Sequence, residues 1–217
     1  MKPQTSGAPP GCNALPVSAP ASPKLAAKDL VLVGVLGAVA GAVCMVISLL
    51  CGMSPVTNPL YAIIAAIPVG IVYMLMLAQV PKHGVFTVAG IVYGALFLAM
   101  GCFWFVVLCF VAASVVADAV MWPNPRSVTR MSVAYAVSVT GLSFGYNGAI
   151  VLMRDTFNEV MVKNGIPAEY SDALNAFVSD PMLAVLTAAA FLVALLGAYV
   201  GRRVLKKHFV RAGLVQA

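Results

Sequence analysis

Residues 30–81 contain no Asp, Glu, Lys, Arg or His, and this long charge-free stretch limits the possible folds more than any other feature. Soluble domains carry about a quarter charged residues, whereas this 217-residue chain is 9% charged and 62% hydrophobic. So few ions cannot cover a surface in water, which makes lipid the natural solvent of the chain. The sequence therefore predicts an all-α integral membrane protein, a bundle of six transmembrane helices with no room for a second, catalytic domain.

Turn-forming residues divide the apolar stretches into spans. A helix needs about 20 residues to cross a hydrocarbon core of about 30 Å. Residues 51–59 and 123–125 hold prolines and other turn formers that interrupt a helix, and Gly101 divides the next apolar stretch. Asp180 and Pro181 suit the N-cap and the first position of the last helix. The predicted spans are approximately residues 28–51, 59–80, 85–100, 102–122, 127–153 and 181–201.

The two ends of the chain differ from this membrane domain, which we place at residues 25–205. Residues 1–24 contain six prolines among Ser, Ala and Gly, a composition that predicts a disordered cytoplasmic tail. Residues 206–217 form a second, basic cytoplasmic tail. A secretory signal peptide is the alternative interpretation of residues 1–50, but its apolar region should be about 7–15 residues long and follow a short basic start.

Between the fifth and sixth spans, apolar residues keep a helical spacing on one face only. Phe157 and Met161 lie four residues apart, and a Gly-Ile-Pro sequence then breaks the chain. Tyr170, Leu174 and Phe177 repeat the spacing after that break. The pattern predicts two short amphipathic helices that lie on the membrane surface or over the bundle.

The distribution of Lys and Arg predicts that both termini are cytoplasmic. With the N-terminus inside, eleven of the thirteen basic residues fall on the inner side, and only Arg154 and Lys163 fall on the outer side. Such an excess sets the orientation of membrane proteins. The net charge of +6 therefore concerns topology and anionic lipid rather than nucleic acid. The inner residues are Lys2, Lys24, Lys28, Lys82, Arg126, Arg130, Arg202, Arg203, Lys206, Lys207 and Arg211.

The motifs indicate no catalytic site, metal site or cofactor, and we expect that the protein is not an enzyme. The chain has no G-x-x-x-x-G-K-[ST] phosphate loop. Gly141-Leu-Ser-Phe-Gly145 matches the G-x-S-x-G nucleophile elbow, but it lies inside an apolar helix rather than at a strand-to-helix turn. Close helix packing explains this motif better. The five cysteines form no C-x-x-C pair and are interpreted as small buried or lipid-facing residues.

Asp118 is the only acid well within a predicted span. An intramembrane acid is a functional candidate by default, but this one lies within two turns of the inner end. A helix cap, or an ion pair with Arg126 or Arg130, is therefore favoured over a proton relay.

Polar and aromatic residues gather in the outer half of the predicted bundle. Small-molecule sites are mostly apolar cavities with a few placed polar groups, and this set has that composition. An interfacial belt explains Tyr61 and Trp104 equally well. It explains Asn147 poorly, because a side-chain amide within a span needs hydrogen-bond partners. The predicted substrate-binding residues are Asn58, Tyr61, Trp104, Tyr146, Asn147 and Arg154.

Small residues line the first helix. Gly34, Ala38 and Ala42 share one face, and Gly37 and Gly41 lie beside it. Such a stripe lets another helix approach closely, either within the same bundle or from another membrane subunit. The predicted contacts to another subunit are Gly34, Ala38, Gly41 and Ala42.

Three stretches carry a family resemblance: residues 24–34 (KLAAKDLVLVG), residues 70–76 (GIVYMLM) with 82–84 (KHG), and residues 197–213 (GAYVGRRVLKKHFVRAG). Over about residues 24–215 the chain resembles the substrate-binding S components of energy-coupling factor (ECF) transporters. More specifically, it is similar to the Trep_Strep group, also labelled MptD-type. The third stretch is the most specific, since such an ending is unusual for a membrane protein.

The resemblance implies a six-helix subunit of the bacterial cytoplasmic membrane that binds a vitamin-like or other small metabolite from outside. It implies docking on a transmembrane coupling subunit with two cytoplasmic ATPases, with Ala38 and Ala42 as the matching A-x-x-x-A contact. It also implies that the loop of residues 52–58 covers the substrate. No motif specifies which vitamin or metabolite is bound.

Two other classes of protein stay open. A small secondary transporter would place charged or unwound segments near mid-membrane, often in inverted halves, and the sequence has no internal repeat and no central ion pair. A membrane scaffold without a ligand would explain the scarcity of polar groups equally well. Dependence of uptake on a separate ATPase would distinguish the S component from both.

Overall fold

The computed structural model describes residues 25–208, with side chains up to Leu205. This part of the chain forms eight α-helices, one short 3-10 helix and no strand. The predicted disordered tail, residues 1–24, lies outside the described residues. The helices are α1 (Ala27–Cys51), the 3-10 helix (Asn58–Leu60), α2 (Tyr61–Gln79), α3 (Val85–Ala99), α4 (Trp104–Met121), α5 (Val128–Leu152), α6 (Arg154–Lys163), α7 (Ala168–Phe177) and α8 (Asp180–His208).

Most helix ends fall within about two residues of the predicted spans, and α8 is the exception. It continues to His208, seven residues beyond the predicted end at residue 201. The continuation has a physical basis, because cationic side chains in the last turns of a helix complement its dipole. The first three residues of the predicted basic tail are therefore helical.

Four helical segments of the described chain are long and apolar enough to cross a membrane. They are α1, the 3-10 helix with α2, α4, and α8 as far as Leu205. Helix α5 meets the same criterion together with α6, although the pair is bent by 100°, and α3 is a shorter apolar helix. The prediction of a helical integral membrane protein is confirmed, with four to five candidate spans by length and composition.

The longer helices run alternately between two ends of the bundle. At one end, Lys82 after α2 forms an ion pair with Asp29 in the first turn of α1 (2.5 Å). At the same end, the Arg130 guanidinium near the start of α5 donates to the Val120 carbonyl near the end of α4 (3.1 Å). We call this end the basic end. Helices α6 and α7 lie at the other end, which we call the capped end.

Small residues set the closest helix contacts. A Cβ atom added to Gly197 of α8 would lie 2.2 Å from the Ala66 carbonyl oxygen of α2. One added to Gly141 of α5 would lie 2.1 Å from the Ala113 Cβ of α4. Backbones this close leave no space for a side chain. The G-x-S-x-G motif is therefore part of the α4–α5 packing, as its position within an apolar helix predicted.

The two amphipathic helices pack over the bundle. Phe157 and Met161 of α6 and Leu174 of α7 are buried, and the exposed faces of both helices carry the polar residues. The Phe157 ring contacts the rings of Phe103 and Tyr146 edge-on, with centroids 5.7 and 5.8 Å apart. These contacts favour the second of the two predicted placements and cover the capped end with α6 and α7.

Asp118 caps a neighbouring helix. Its carboxylate accepts hydrogen bonds from the backbone N–H groups of Phe86 (3.2 Å) and Thr87 (2.7 Å) in the first turn of α3, and from the Thr87 hydroxyl. The first amides of a helix have no partner within it, and an anion there is stabilised. Of the two structural roles that the sequence favoured, the helix cap is the one observed.

Candidate functional site

The loop after α1 is held in place by one tyrosine of α7. The Asn58 side-chain amide donates to the Tyr170 hydroxyl (2.6 Å), and that hydroxyl donates to the Gly52 carbonyl (2.7 Å). Partial burial raises the pKa of Tyr170, so the hydroxyl stays protonated and able to donate at neutral pH. The Thr57 hydroxyl donates a hydrogen bond to the Cys51 carbonyl (2.7 Å). Tyr170 therefore joins both ends of the loop of residues 52–57 to α7.

Asn147 is fully buried and connects α5 to the 3-10 helix. Its side-chain nitrogen donates to the Ser143 carbonyl (3.0 Å) and to the Pro59 carbonyl (3.2 Å). Its side-chain oxygen is buried without a partner among the described residues. The donors of this amide thus serve the fold, while its acceptor stays available.

Two tyrosine rings pair at the capped end, one from α2 and one from α5. Tyr61 and Tyr146 meet edge-on with centroids 5.1 Å apart. The Tyr61 hydroxyl is buried and has no partner in the described part of the chain. The structure therefore brings four of the six predicted site residues together: Asn58, Tyr61, Tyr146 and Asn147.

The other two predicted site residues face outward. Trp104 is 51% exposed and contacts the neighbouring rings of Phe103 and Phe105, with centroids 5.6 and 5.9 Å apart. Arg154 is exposed at the start of α6. The position of Trp104 fits the interfacial belt that was its alternative interpretation.

A small cavity lies among five helices, α1 to α5. Its free space is about 20 Å³, measured as the volume open to the centre of a water-sized sphere, which is enough for about one or two waters. The side chains of four aromatic residues line it together with small and aliphatic ones. The lining residues are Cys44, Ala62, Ala65, Ala66, Val69, Tyr73, Tyr93, Phe110, Tyr135, Ser138, Val139 and Leu142.

Three buried tyrosines line this cavity, and two of their hydroxyls, those of Tyr73 and Tyr93, lack a backbone partner among the described residues. Tyr73 and Tyr93 are each 2% exposed. Ser138 is a polar neighbour of the Tyr73 hydroxyl, and Cys44 is a polar neighbour of the Tyr93 hydroxyl. The third hydroxyl, that of Tyr135, donates to the Ala66 carbonyl (2.6 Å). The tyrosines therefore line the cavity mainly with their rings, and its surface is almost wholly apolar.

Sequence reasoning missed this cavity, although a signal was present. Tyr73, Tyr93 and Tyr135 lie within helices, away from the membrane interface where tyrosine is normally enriched. A buried phenol normally finds a hydrogen-bond partner. Three tyrosines placed inside apolar helices therefore pointed to a feature in the interior of the bundle.

The structure separates the small residues of α1 into two faces. Gly41 is buried, and a Cβ added there would lie 3.3 Å from the Tyr93 ring of α3. A Cβ added to Gly34 would meet nothing within 4 Å. Ala38 is half-buried and Ala42 is exposed. Gly41 thus packs inside the bundle, whereas Gly34, Ala38 and Ala42 form an outward face.

These features define the class of the protein, a multi-pass helical membrane protein with a tyrosine-lined internal cavity. The chain belongs to the Trep_Strep family: the family model described as "Hypothetical bacterial integral membrane protein (Trep_Strep)" matches residues 27–211. No curated protein and no solved structure matches the chain. It is therefore a bacterial integral membrane protein.

Proposed function

We propose that this protein is the substrate-binding subunit, or S component, of an ECF-type ABC importer. It captures a vitamin-like or other small metabolite from outside and docks on a transmembrane coupling subunit with two cytoplasmic ATPases. The observation that carries the proposal is the outward face of small residues on α1, together with the buried polar groups of Tyr61 and Asn147 at the capped end, where Tyr170 holds the loop of residues 52–57. A chain without a phosphate loop suits a subunit that binds cargo and leaves ATP hydrolysis to its partners.

The proposal assigns six spans, α1 to α5 and α8, with both termini in the cytoplasm and the capped end outside. Eleven of the thirteen basic residues then lie inside, which supports this orientation. Helix α3 has 15 residues, so it is about 22 Å long and requires locally thinner bilayer or shelter by its neighbours. It packs against α1 and α4.

The outward face of α1 supports docking on another membrane subunit. Gly34, Ala38 and Ala42 leave a shallow strip along the helix, flanked by the exposed side chains of Val35 and Val39. Helices in lipid associate mainly through close van der Waals contact, which small residues permit. The coupling subunit is the partner that this strip would receive.

The test is purification of the tagged protein from its native membranes in mild detergent, followed by mass spectrometry of proteins and small molecules. The proposal expects a membrane coupling subunit with two ATPases. Recovery of the chain alone, together with uptake that does not depend on any ATPase, would move the assignment to a secondary transporter. Recovery of the chain alone without uptake would favour a scaffold.

A further inference from the structure

A groove on the surface of the bundle runs between α5 and α8. Its free volume, measured in the same way as that of the small cavity, is about 660 Å³. It extends along α8 from Asp180 to Leu192, which is about 18 Å at the rise of an α-helix. That length is close to half of a hydrocarbon core of about 30 Å. The groove therefore reaches from the capped end about as deep as one leaflet of a bilayer.

The wall of the groove suits a hydrocarbon chain. Most of it consists of small and apolar side chains, among them Phe144, Ala188 and Leu192. Its two threonines, Thr140 and Thr187, donate their hydroxyls to carbonyls of their own helices (2.7 Å each). Sites for polar small molecules carry placed polar groups, whereas the hydroxyls of this wall are already paired. The wall therefore matches the acyl chain of a lipid better than it matches a polar substrate.

One acidic side chain lies at the capped end of the groove. Asp180 is exposed, and its carboxylate has no hydrogen bond or ion pair among the described residues. The groove lining contains no Lys, Arg or His. An acid in the first turn of α8 also complements the helix dipole, but that role does not require a groove beside it. Charge complementarity favours a headgroup that carries an amine over one that carries only negative charge.

The groove lies on a different side of the bundle from the outward face of α1. Helix α8 packs against α2 and α5, whereas α1 packs against α2 and α3. Helix α2 therefore lies between α1 and α8. A membrane subunit docked on α1 leaves the groove in contact with lipid, which makes a lipid a better occupant than that subunit.

We infer that the α5–α8 groove binds one phospholipid from the leaflet at the capped end. An acyl chain lies in the groove, and an amine in the headgroup pairs with the Asp180 carboxylate. This lipid site goes beyond the proposed importer function and does not depend on it.

The first test is native mass spectrometry of the delipidated protein in mild detergent. It compares phosphatidylethanolamine, which has an amine, with phosphatidylglycerol of the same acyl chains. The protein should bind phosphatidylethanolamine about three- to fivefold more tightly, the size of an exposed ion pair. Asp180→Asn should remove that preference. Asp172→Asn, which removes the same charge from an exposed position of α7, is the matched control and should keep it.

Equal binding of the two lipids by the unaltered protein overturns the inference, because the groove then does not select an amine. A preference that persists in Asp180→Asn also overturns it, since the amine is then recognised elsewhere.

The second test fills the groove. Ala188→Trp should weaken phosphatidylethanolamine binding at least about tenfold, which corresponds to lost contact with about two methylene groups. Ala112→Trp, on the exposed side of α4, is the matched control without effect. Ala184→Trp, one turn earlier in the groove, replaces Ala188→Trp where that variant does not fold. Unchanged binding in a folded groove variant overturns the inference.

A photoreactive side chain in the groove distinguishes a lipid from a protein in native membranes. Ala188→benzoylphenylalanine should crosslink to a lipid with an amine in its headgroup, identified by its mass. A crosslink to a second protein, whether another copy of this chain or a coupling subunit, would show that the groove is a protein interface and would overturn the inference.

Discussion

At the scale of single residues, the polar groups inside this bundle are of two kinds: those that are hydrogen-bonded to backbone groups and those that have no partner among the described residues. Asp118 and the nitrogen of Asn147 hold elements together, because their partners are backbone groups of α3 and of the 3-10 helix. The Tyr61 hydroxyl and the Asn147 side-chain oxygen are buried at the capped end without a partner among the described residues. Polar groups within lipid are costly unless they are paired, so these groups are the ones that point to function.

Asn147→Ala is expected to destabilise the protein without preventing insertion. The change removes two buried hydrogen bonds, to Pro59 and to Ser143, and a lost buried partner costs about 1–3 kcal/mol. Thermal unfolding in detergent measures the loss. Asn164→Ala, at an exposed asparagine after α6, serves as the matched control. Equal stability of the two variants would show that the Asn147 contacts contribute nothing.

Asn147→Ala also bears on substrate binding, which we expect it to weaken. The side-chain oxygen of Asn147 is buried without a partner among the described residues, so it is free to accept a hydrogen bond. Binding of the metabolite recovered in the purification is measured by calorimetry. Unchanged affinity would remove Asn147 from the site and leave it a purely structural residue.

At the scale of elements, two features stand out: the pinned loop at the capped end and the outward face of α1. The loop of residues 52–57 owes its position to α7, over a hundred residues away in sequence. Helix α1 packs against α2 and α3 and leaves its other face uncovered by the described residues. Each element therefore has one side packed against the rest of the described chain and another side available to a ligand or a partner protein.

Tyr170→Phe should loosen the loop while keeping the ring in place. The hydroxyl pairs with both Asn58 and Gly52, and each such bond contributes about 0.5–1.5 kcal/mol. Amide hydrogen exchange of residues 52–58 should therefore speed up by roughly fivefold or more. Mass spectrometry of the loop peptides measures this, with Tyr199→Phe as control. Exchange that stays at the wild-type rate would mean that Tyr170 does not restrain the loop.

Ala38→Trp should abolish docking while the chain still folds and inserts. A large ring on the outward face of α1 keeps a second helix from close approach, and it points away from the packed interior. Co-purification with the coupling subunit is the measurement. Ala112→Trp, on the exposed side of α4, is the matched control and should keep its partners. Normal recovery of the coupling subunit with Ala38→Trp would place the contact elsewhere.

At the scale of the whole molecule, the proposal requires that the two ends face different compartments. The basic end carries the Asp29–Lys82 ion pair and the Arg130 contact, and the capped end carries α6 and α7. One end of the bundle is thus covered by α6 and α7, and the other carries basic side chains. This asymmetry is the one expected of a subunit that binds its substrate on one side of the membrane and contacts the ATPase module on the other.

A cysteine at position 163 should react with a membrane-impermeant maleimide in intact cells, and one at position 126 only after the membrane is opened. Lys163→Cys lies in α6 at the capped end and Arg126→Cys lies between α4 and α5 at the basic end, each in a chain without other cysteines. The opposite pattern would reverse the orientation. Reaction of both in intact cells would exclude the six-span topology.

The sequence by itself determined the class of the protein, most helix ends and the packing role of the G-x-S-x-G motif. These depend on local properties: an apolar run, a proline or glycine break, and the spacing of small residues. Such properties follow from the backbone and its solvent, so a single stretch of chain is enough to reveal them.

The tertiary structure alone decided which polar groups are paired. The sequence predicted that Gly41 contacts another subunit, whereas in the structure Gly41 packs against the Tyr93 ring of α3. It left open which helix Asp118 would cap, and it did not reveal that Tyr73 and Tyr93 share a cavity. Periodicity identifies the faces of each helix, whereas which faces meet depends on the packing of all helices at once. The small cavity lined by residues of five helices is a product of that packing.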